Sequence, residues 1–273
     1  MKSVISKSMR APVSVIIPCY RASATIERAL QSVANQTLLP EEVILVDDYS
    51  EDGSYEFLEI LSKQFEHVNM KLYQLPHNQG PGIARNLAWD HATQPWIAFL
   101  DSDDTWHPRK IEIQYSWISK NKDAQLCGHK TGAFNGFFVD GASINPSAKF
   151  INLRQMLFSN AFPTRSVMVR RDIPNRFLGK KFTEDYQLWM EIIFKRGRAY
   201  FLDACLAYSH APEFSVGGYS GQMWVHEKRE LSTLSSLHAQ GIINFPVWIL
   251  VSSWSFIKFI RRYASRVFVR SHA

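Results

Sequence analysis

The chain has 273 residues, 46% of them hydrophobic, which is enough to bury a sizeable core in one large α/β domain with a smaller appendage and excludes disorder over most of its length. Cys19, Cys127 and Cys205 are odd in number and widely spaced, which argues against a disulfide framework or a Cys-x-x-Cys zinc site and fits a reducing cytoplasm. The net charge of +6 is largely a C-terminal property, because the last acidic residue is Glu230 while Lys258, Arg261, Arg262, Arg266 and Arg270 crowd the end.

Residues 1–10 are basic but lack the apolar stretch and cleavage site of a secretory signal, so export is not expected. Val13 to Pro18 is a near-continuous apolar run that predicts a strand, and Ile26, Ala29, Leu30 and Val33 fall at helical spacing within Thr25–Asn35. The unit repeats. Glu42–Asp47 is a second strand ending in Asp47-Asp48, and Ser54–Phe65 is a helix after an Asp-Gly turn, with Phe57, Leu58 and Leu61 on one face. Met70–Leu75 and Trp96–Leu100 read as further strands, and Pro81–Ala92 and Pro108–Lys120 as helices opened by proline. Such alternation predicts a parallel sheet with helices on both faces, whose ligands bind beyond the carboxyl ends of the strands.

Those ends carry the chemistry. Pro18-Cys19-Tyr20, Asp47-Asp48 and Asp101-Ser102-Asp103-Asp104 converge on one edge, where carboxylates and a divalent cation would join a phosphate. Each motif alone is compatible with a plain turn, since Asp and Ser side chains bond nearby backbone N–H groups. Gly80-Pro81-Gly82 opens a helix beside the same edge and brings Arg85 with it. Neither a Gly-x-x-x-x-Gly-Lys loop nor a Gly-x-Gly-x-x-Gly fingerprint occurs, which removes the main support for P-loop hydrolysis and dinucleotide redox chemistry.

The series Val15-Ile16-Ile17-Pro18-Cys19-Tyr20, Val46 to Gly53, Asn78-Gln79-Gly80 with Ala84-Arg85-Asn86, and Phe99 to Asp104 resembles the family 2 glycosyltransferases of GT-A fold over residues 12–120. The resemblance implies a Rossmann-like, mainly parallel sheet flanked by helices, with a smaller acceptor-side region and a C-terminal helical tail. It implies a nucleotide-sugar-binding part over 11–120, an acceptor-binding and catalytic-base part of the same domain over 121–220, and a tail over 221–273. By similarity, Pro18 and Tyr20 line the nucleobase pocket, Asp48 accepts a hydrogen bond from the base and Arg85 lies near the nucleotide. Asp103 and Asp104, with Asp101 close by, bind the ribose and a Mg²⁺ or Mn²⁺ ion.

Thr183-Glu184-Asp185-Tyr186-Gln187-Leu188-Trp189 resembles the family's Glu-Asp motif, making Asp185 the expected base of an inverting transfer, with Glu184 an alternative or an orienting group. His210 is an expected metal contact, although the segment Tyr208 to Ser220 departs from the family's usual Tyr-Arg pairing, and Gly217-Gly218 suggests a lid hinge. Arg170 and Arg171 are candidate contacts to an acceptor phosphate, against the plainer reading of an exposed strand end. The implied partners are a nucleotide sugar, a UDP-sugar foremost, and a glycan or polyprenyl-diphosphate-linked acceptor of surface-polysaccharide biosynthesis. A catalytically inactive nucleotide-sugar binder is the alternative.

Ile242–Ile257 is apolar and uncharged but shorter than the roughly 20 residues that span a bilayer, and Pro246 interrupts it. It reads as an interfacial helix on an anionic membrane surface, with Trp248, Trp254 and Phe256 at headgroup depth, or as a helix packed on the domain. The first reading implies a cytoplasmic protein peripheral on the inner face of the cell membrane. Basic residues are not interleaved with stacking aromatics, so no nucleic-acid partner is expected.

Overall fold

The computed structural model describes residues 10–138, 143, 145–179, 183–210 and 223–270, with side chains to residue 264. Strands β1 (Arg10–Cys19), β2 (Leu39–Asp47), β3 (Met70–Gln74) and β4 (Trp96–Phe99) alternate with helices α1 (Ile26–Ala34), α2 (Ser54–Gln64) and α3 (Pro81–His91). There follow β5 (Asp104–Trp106), α4 (Lys110–Lys120), β6 (Leu126–Ala133), β7 (Ala148–Ile151), α5 (Leu153–Phe158), a 3₁₀ turn at Thr164–Ser166 and β8 (Met168–Arg170). Helix α6 (Glu184–Arg196), β9 (Ala199–Ser209), α7 (Met223–Ala239) and α8 (Phe245–Arg270) complete the described elements.

The sheet runs in the order β3-β2-β1-β4-β8-β6-β9-β5, with β7 also paired to β9. β1 pairs in parallel with both β2 and β4, and β2 with β3, as the sequence predicts. The second half is mixed, because β8 is antiparallel to β4 and β6 while β6 and β9 are parallel. The chain leaves β1 for β2 and β3 on one side and returns to β4 on the other. That reversal opens a crevice at the carboxyl ends of β1 and β4, where loops cannot fill the gap.

Pleat alternation divides the core between the two faces. Ile16, Ile44, Val46, Ile97 and Phe99 face α3 and α6, whereas Val15, Ile17, Val43, Leu45 and Ala98 face α1, α2 and α4. On the first face Phe99, Phe177 and Trp189 form a ring cluster with centroids 5.4–5.9 Å apart. Large aromatic rings in edge-to-face contact bury much area with few rotors. This cluster fixes α6 against β4, and so the Glu-Asp motif against the strand end that bears Asp101.

Two local expectations change. Asp104 begins strand β5, which is antiparallel to β9, so the acidic cluster ends in the sheet instead of in a free turn. Pro246 does not interrupt α8 but sits in its first turn, where its missing N–H would have no helical partner anyway. The helix therefore runs 26 residues. No helix among the described residues is long and apolar enough to cross a membrane.

Candidate active site

The crevice is a cleft of about 990 Å³. Pro18, Tyr20, Asp48, Arg85, Asp101, Asp103 and Asp185 all line it, so seven of the expected site residues meet in one place. Tyr20 is 45% exposed at the cleft, with Arg21 Cζ 5.3 Å from its ring centroid. Arg21 and Tyr49, which follow the ends of β1 and β2, have φ of 49° and 58°. Positive φ in non-glycine residues is strained and tends to mark functional loops. Ser50 Oγ accepts a 2.9 Å bond from the Arg21 N–H and ties these two strained turns together.

Asp48 is buried and its two carboxylate oxygens accept 2.7 Å bonds from the backbone N–H groups of Gln79 and Gly80. It thereby braces the loop that leads into α3. Gly80 has φ of 95°, a conformation that glycine adopts at no steric cost, and Pro81 follows at the first helical position. The positive end of α3 thus points into the cleft.

Arg85, one turn into α3, is the central cation. Its guanidinium lies 2.6 Å from Asp101 and 3.0 Å from Glu184, and its Cζ stands 5.3 Å from the Phe177 ring centroid. Burial opposes its charge, yet Asp101 and Glu184 more than offset that, and its pKa is raised. Burial pushes the Glu184 carboxyl up to about 7, against the pull of Arg85. Asp185 lies beside it, with Oδ2 accepting a 3.2 Å bond from Thr164 Oγ1 and Oδ1 accepting from its neighbour's N–H. Its side chain faces the cleft, and Glu184 is committed to Arg85.

The expected metal ligands separate into two groups. Asp101 and Asp103 line the cleft, and burial followed by the nearby Asp101 charge raises the Asp103 pKa. Asp104 is drawn away because β5 pulls it into the sheet, where its buried carboxylate lies 2.6 Å from Arg165. Its pKa is pushed up to about 7 by burial and Asp101, with Arg165 opposing. His210 is set aside by its own partner, its Nε2 lying 2.8 Å from Thr105 Oγ1, and burial lowers its pKa. Neither residue is part of the cleft lining among the described residues. No three His, Cys, Asp or Glu side chains converge to hold a metal among them. Two crowded carboxylates still suit a hard cation that takes its other ligands from a diphosphate, because Mg²⁺ is commonly held by one or two carboxylates plus substrate phosphates.

Arg170 and Arg171 stand at the wrong end of the sheet. Arg170 pairs in register with Trp96, the first residue of β4, bonds Asp172 and stacks over the Trp96 ring, remote from Asp101 at the strand's other end. Sequence reasoning missed Arg165, His226 and Arg229, all of which line the cleft. The last two belong to α7, in what reads as a tail, and the spacing 226, 229, 233, 237 was the available signal of a helix face turned inward. The expected hinge Gly217-Gly218, with Ser215, lies outside the described residues.

The sequence profile of glycosyl transferase family 2 matches residues 14–178. The Escherichia coli protein WfgD, named as a UDP-Glc:alpha-D-GlcNAc-diphosphoundecaprenol beta-1,3-glucosyltransferase, is 33% identical over 183 residues, 66% of this chain and 69% of that one. Among solved structures, S. aureus TarS residues 1–349 in complex with UDP-GlcNAc superpose with a TM-score of 0.70 at 24% identity, covering 94% of this chain and 73% of that one. The mannosyltransferase PcManGT from Pyrobaculum calidifontis, in complex with GDP-Man and Mn²⁺, gives 0.68 at 16% identity, covering 95% and 76%.

Proposed function

This chain belongs to glycosyl transferase family 2, and from that premise we propose that it moves a sugar, with inversion, from a UDP-sugar to a hydroxyl of a polyprenyl-diphosphate-linked glycan in surface-polysaccharide biosynthesis. One observation carries the reading. Arg85 bridges Asp101 and Glu184, so the carboxylates after β4 and the Asp185 carboxylate, which makes no ion pair with Arg85, are held in a single cleft.

On this reading Pro18 and Tyr20 receive the base, and Asp48, each of whose oxygens keeps a lone pair, accepts from it while bracing the Gln79-Gly80 loop. Arg85 and the N-terminus of α3 hold the diphosphate side by charge. Asp103, with Asp101, would hold a Mg²⁺ or Mn²⁺ ion, which when bound would neutralise charge developing on the leaving diphosphate. Asp185 takes the proton of the acceptor hydroxyl as that oxygen bonds to the anomeric carbon. The carbon–oxygen bond to the diphosphate breaks and its electron pair leaves with the nucleotide.

A peripheral position on the inner face of the cell membrane belongs to the same reading, supported by α8. Its outer side exposes Phe245, Ile249, Leu250, Trp254, Ile257 and Ile260, an apolar band wider than a soluble helix needs.

Asp185→Asn tests the assignment. Transfer should fall by roughly two orders of magnitude or more, while UDP affinity in a thermal-shift titration with Mn²⁺ stays at the wild-type value. Full activity in that variant would remove Asp185 as the base. If no nucleoside diphosphate in a panel raised the melting temperature of the wild type, the donor site itself would be lost.

A further inference from the structure

β8 runs antiparallel to β4, so the residues just before β8 lie beyond the carboxyl end of β4, on the side of Asp101. They form the 3₁₀ turn Thr164–Ser166, which is bonded from within and from behind. Ser166 N–H and Ser166 Oγ both donate to the Pro163 carbonyl at 2.8 Å, and Val167 N–H donates to that of Thr164 at 3.0 Å. Trp106 Nε1 donates to the Arg165 carbonyl at 2.9 Å, and Gln114 Nε2 of α4 donates to that of Ser166 at 3.0 Å. Phe162 and Ser166 are wholly buried, so close packing leaves the turn little room to shift. Two side chains leave this turn for carboxylates at the cleft: Arg165 reaches Asp104 and Thr164 reaches Asp185.

We infer that Thr164 is a positioning residue, whose hydroxyl sets the direction of the Asp185 carboxylate. This rests on the transfer reading above, in which Asp185 is the base, and adds the group that aims it. Glu184 and Asp185 are adjacent carboxylates that repel each other, and the fold restrains them by different means. Glu184 is held by the Arg85 guanidinium. Asp185 is held by one hydrogen bond to each oxygen, from the Tyr186 N–H to Oδ1 at 2.7 Å and from Thr164 Oγ1 to Oδ2 at 3.2 Å. The first comes from the next residue in the chain; the second ties the carboxylate to a separate, rigid part of the fold. Thr164 is 8% exposed, so water does not readily take over its bond. A neutral hydroxyl fixes the carboxylate without supplying a counter-charge, and each oxygen keeps a lone pair for the acceptor's proton. A base has to meet its hydroxyl at hydrogen-bond distance and in line with the displacement, so an unrestrained carboxylate at this position loses rate rather than donor binding.

The test uses the full chain, the UDP-sugar that the wild type turns over fastest and a short-chain polyprenyl-diphosphate-linked sugar as acceptor. Thr164→Val keeps the shape of the side chain and removes its hydroxyl. It should lower kcat about tenfold or more, the loss of one hydrogen bond to a charged group, and leave both the KM for the UDP-sugar and UDP affinity by thermal shift at wild-type values. Thr164→Ser, which loses the methyl group and keeps the hydroxyl, should restore most of kcat and so separates positioning from packing. In an Asp185→Asn background the same Thr164→Val change should cost less than about twofold, because residues that act as one unit do not add their losses. An equal loss in both backgrounds, a serine variant no faster than the valine one, or a raised KM for the UDP-sugar would overturn the role. The two readings fail separately. Full activity in Asp185→Asn removes the base and the role of Thr164 with it, whereas an inactive Asp185→Asn beside a wild-type rate in Thr164→Val removes Thr164 alone.

Discussion

Arg85 joins two acidic groups that are distant in sequence, and its neighbour Gly82 shows how tightly the junction is packed. A Cβ built on Gly82 would stand 2.5 Å from Glu184 Oε2 and 3.0 Å from the Leu178 carbonyl oxygen. The first atom is the end of a side chain and can swing, but swinging it breaks the 3.0 Å Arg85–Glu184 pair; the second is backbone and cannot. Gly82→Ala is expected to cost about 1–3 kcal/mol by overpacking, read by urea unfolding, and to reduce transfer more than UDP affinity. A wild-type stability and rate would mean that the junction tolerates displacement of Glu184. At this scale the sequence brings Pro18, Asp48, Asp101 and Asp103 to strand ends, and all four line the cleft, because a strand end is a local feature. It does not foresee that Asp104 and His210 bond Arg165 and Thr105, partners 61 and 105 residues away, and stay out of the cleft lining.

Helix α4 carries a charge that the fold does not welcome. Lys110 is fully buried, its Nζ has no hydrogen-bond partner among the described residues, and it lies 3.7 Å from the Trp106 ring centroid. Burial lowers its pKa from 10.5 to about 7. Between those values the unfolded chain holds a proton that the native chain has lost, so this group's contribution rises with pH and is lost as pH falls through 7. The difference in unfolding free energy between wild type and Lys110→Met should therefore shift toward the wild type on going from pH 7 to pH 9, by at most about 1.4 kcal/mol per pH unit. Above that range the buried Cys19 and Cys127 thiols, whose pKa values are raised, begin to act in the opposite sense. A pH-independent difference would show that Lys110 stays protonated, held by the Trp106 ring face. The helix itself is legible from its apolar spacing; that Lys110 faces inward is not, because a single lysine on such a pattern reads as surface.

For the molecule as a whole, the C-terminal helices are part of the domain. Val251 is buried in the main core with Leu234, Leu237, Ile242 and Ile243, so α8 packs on the body by one side and exposes the other. Two of its basic residues are held by the domain's own carboxylates: Lys258 lies 3.1 Å from Glu230 and Arg262 3.4 Å from Glu227. On the proposed peripheral reading, attachment would depend chiefly on the apolar band. Leu250→Glu with Ile257→Glu should abolish sedimentation with anionic vesicles and leave UDP affinity intact, whereas wild-type binding should fall only modestly as salt rises. Undiminished vesicle binding by the double variant would sink the membrane role of α8. Truncation after Gly241 is the poorer experiment, because it strips Val251 from the core.

By itself the sequence determines the strand–helix alternation of residues 10–120, the polar strand ends and the family, since periodicity, turn residues and contiguous motifs are properties of neighbouring residues. Tertiary structure alone decides what each charge is paired with. Asp101 and Glu184 share Arg85, Asp104 is neutralised by Arg165, Arg170 is sent to the far end of β4, and α7 is carried over the cleft by its register with α6. Ion pairs and helix packing join segments separated by tens of residues, and their energies depend on burial and distance that no local pattern encodes.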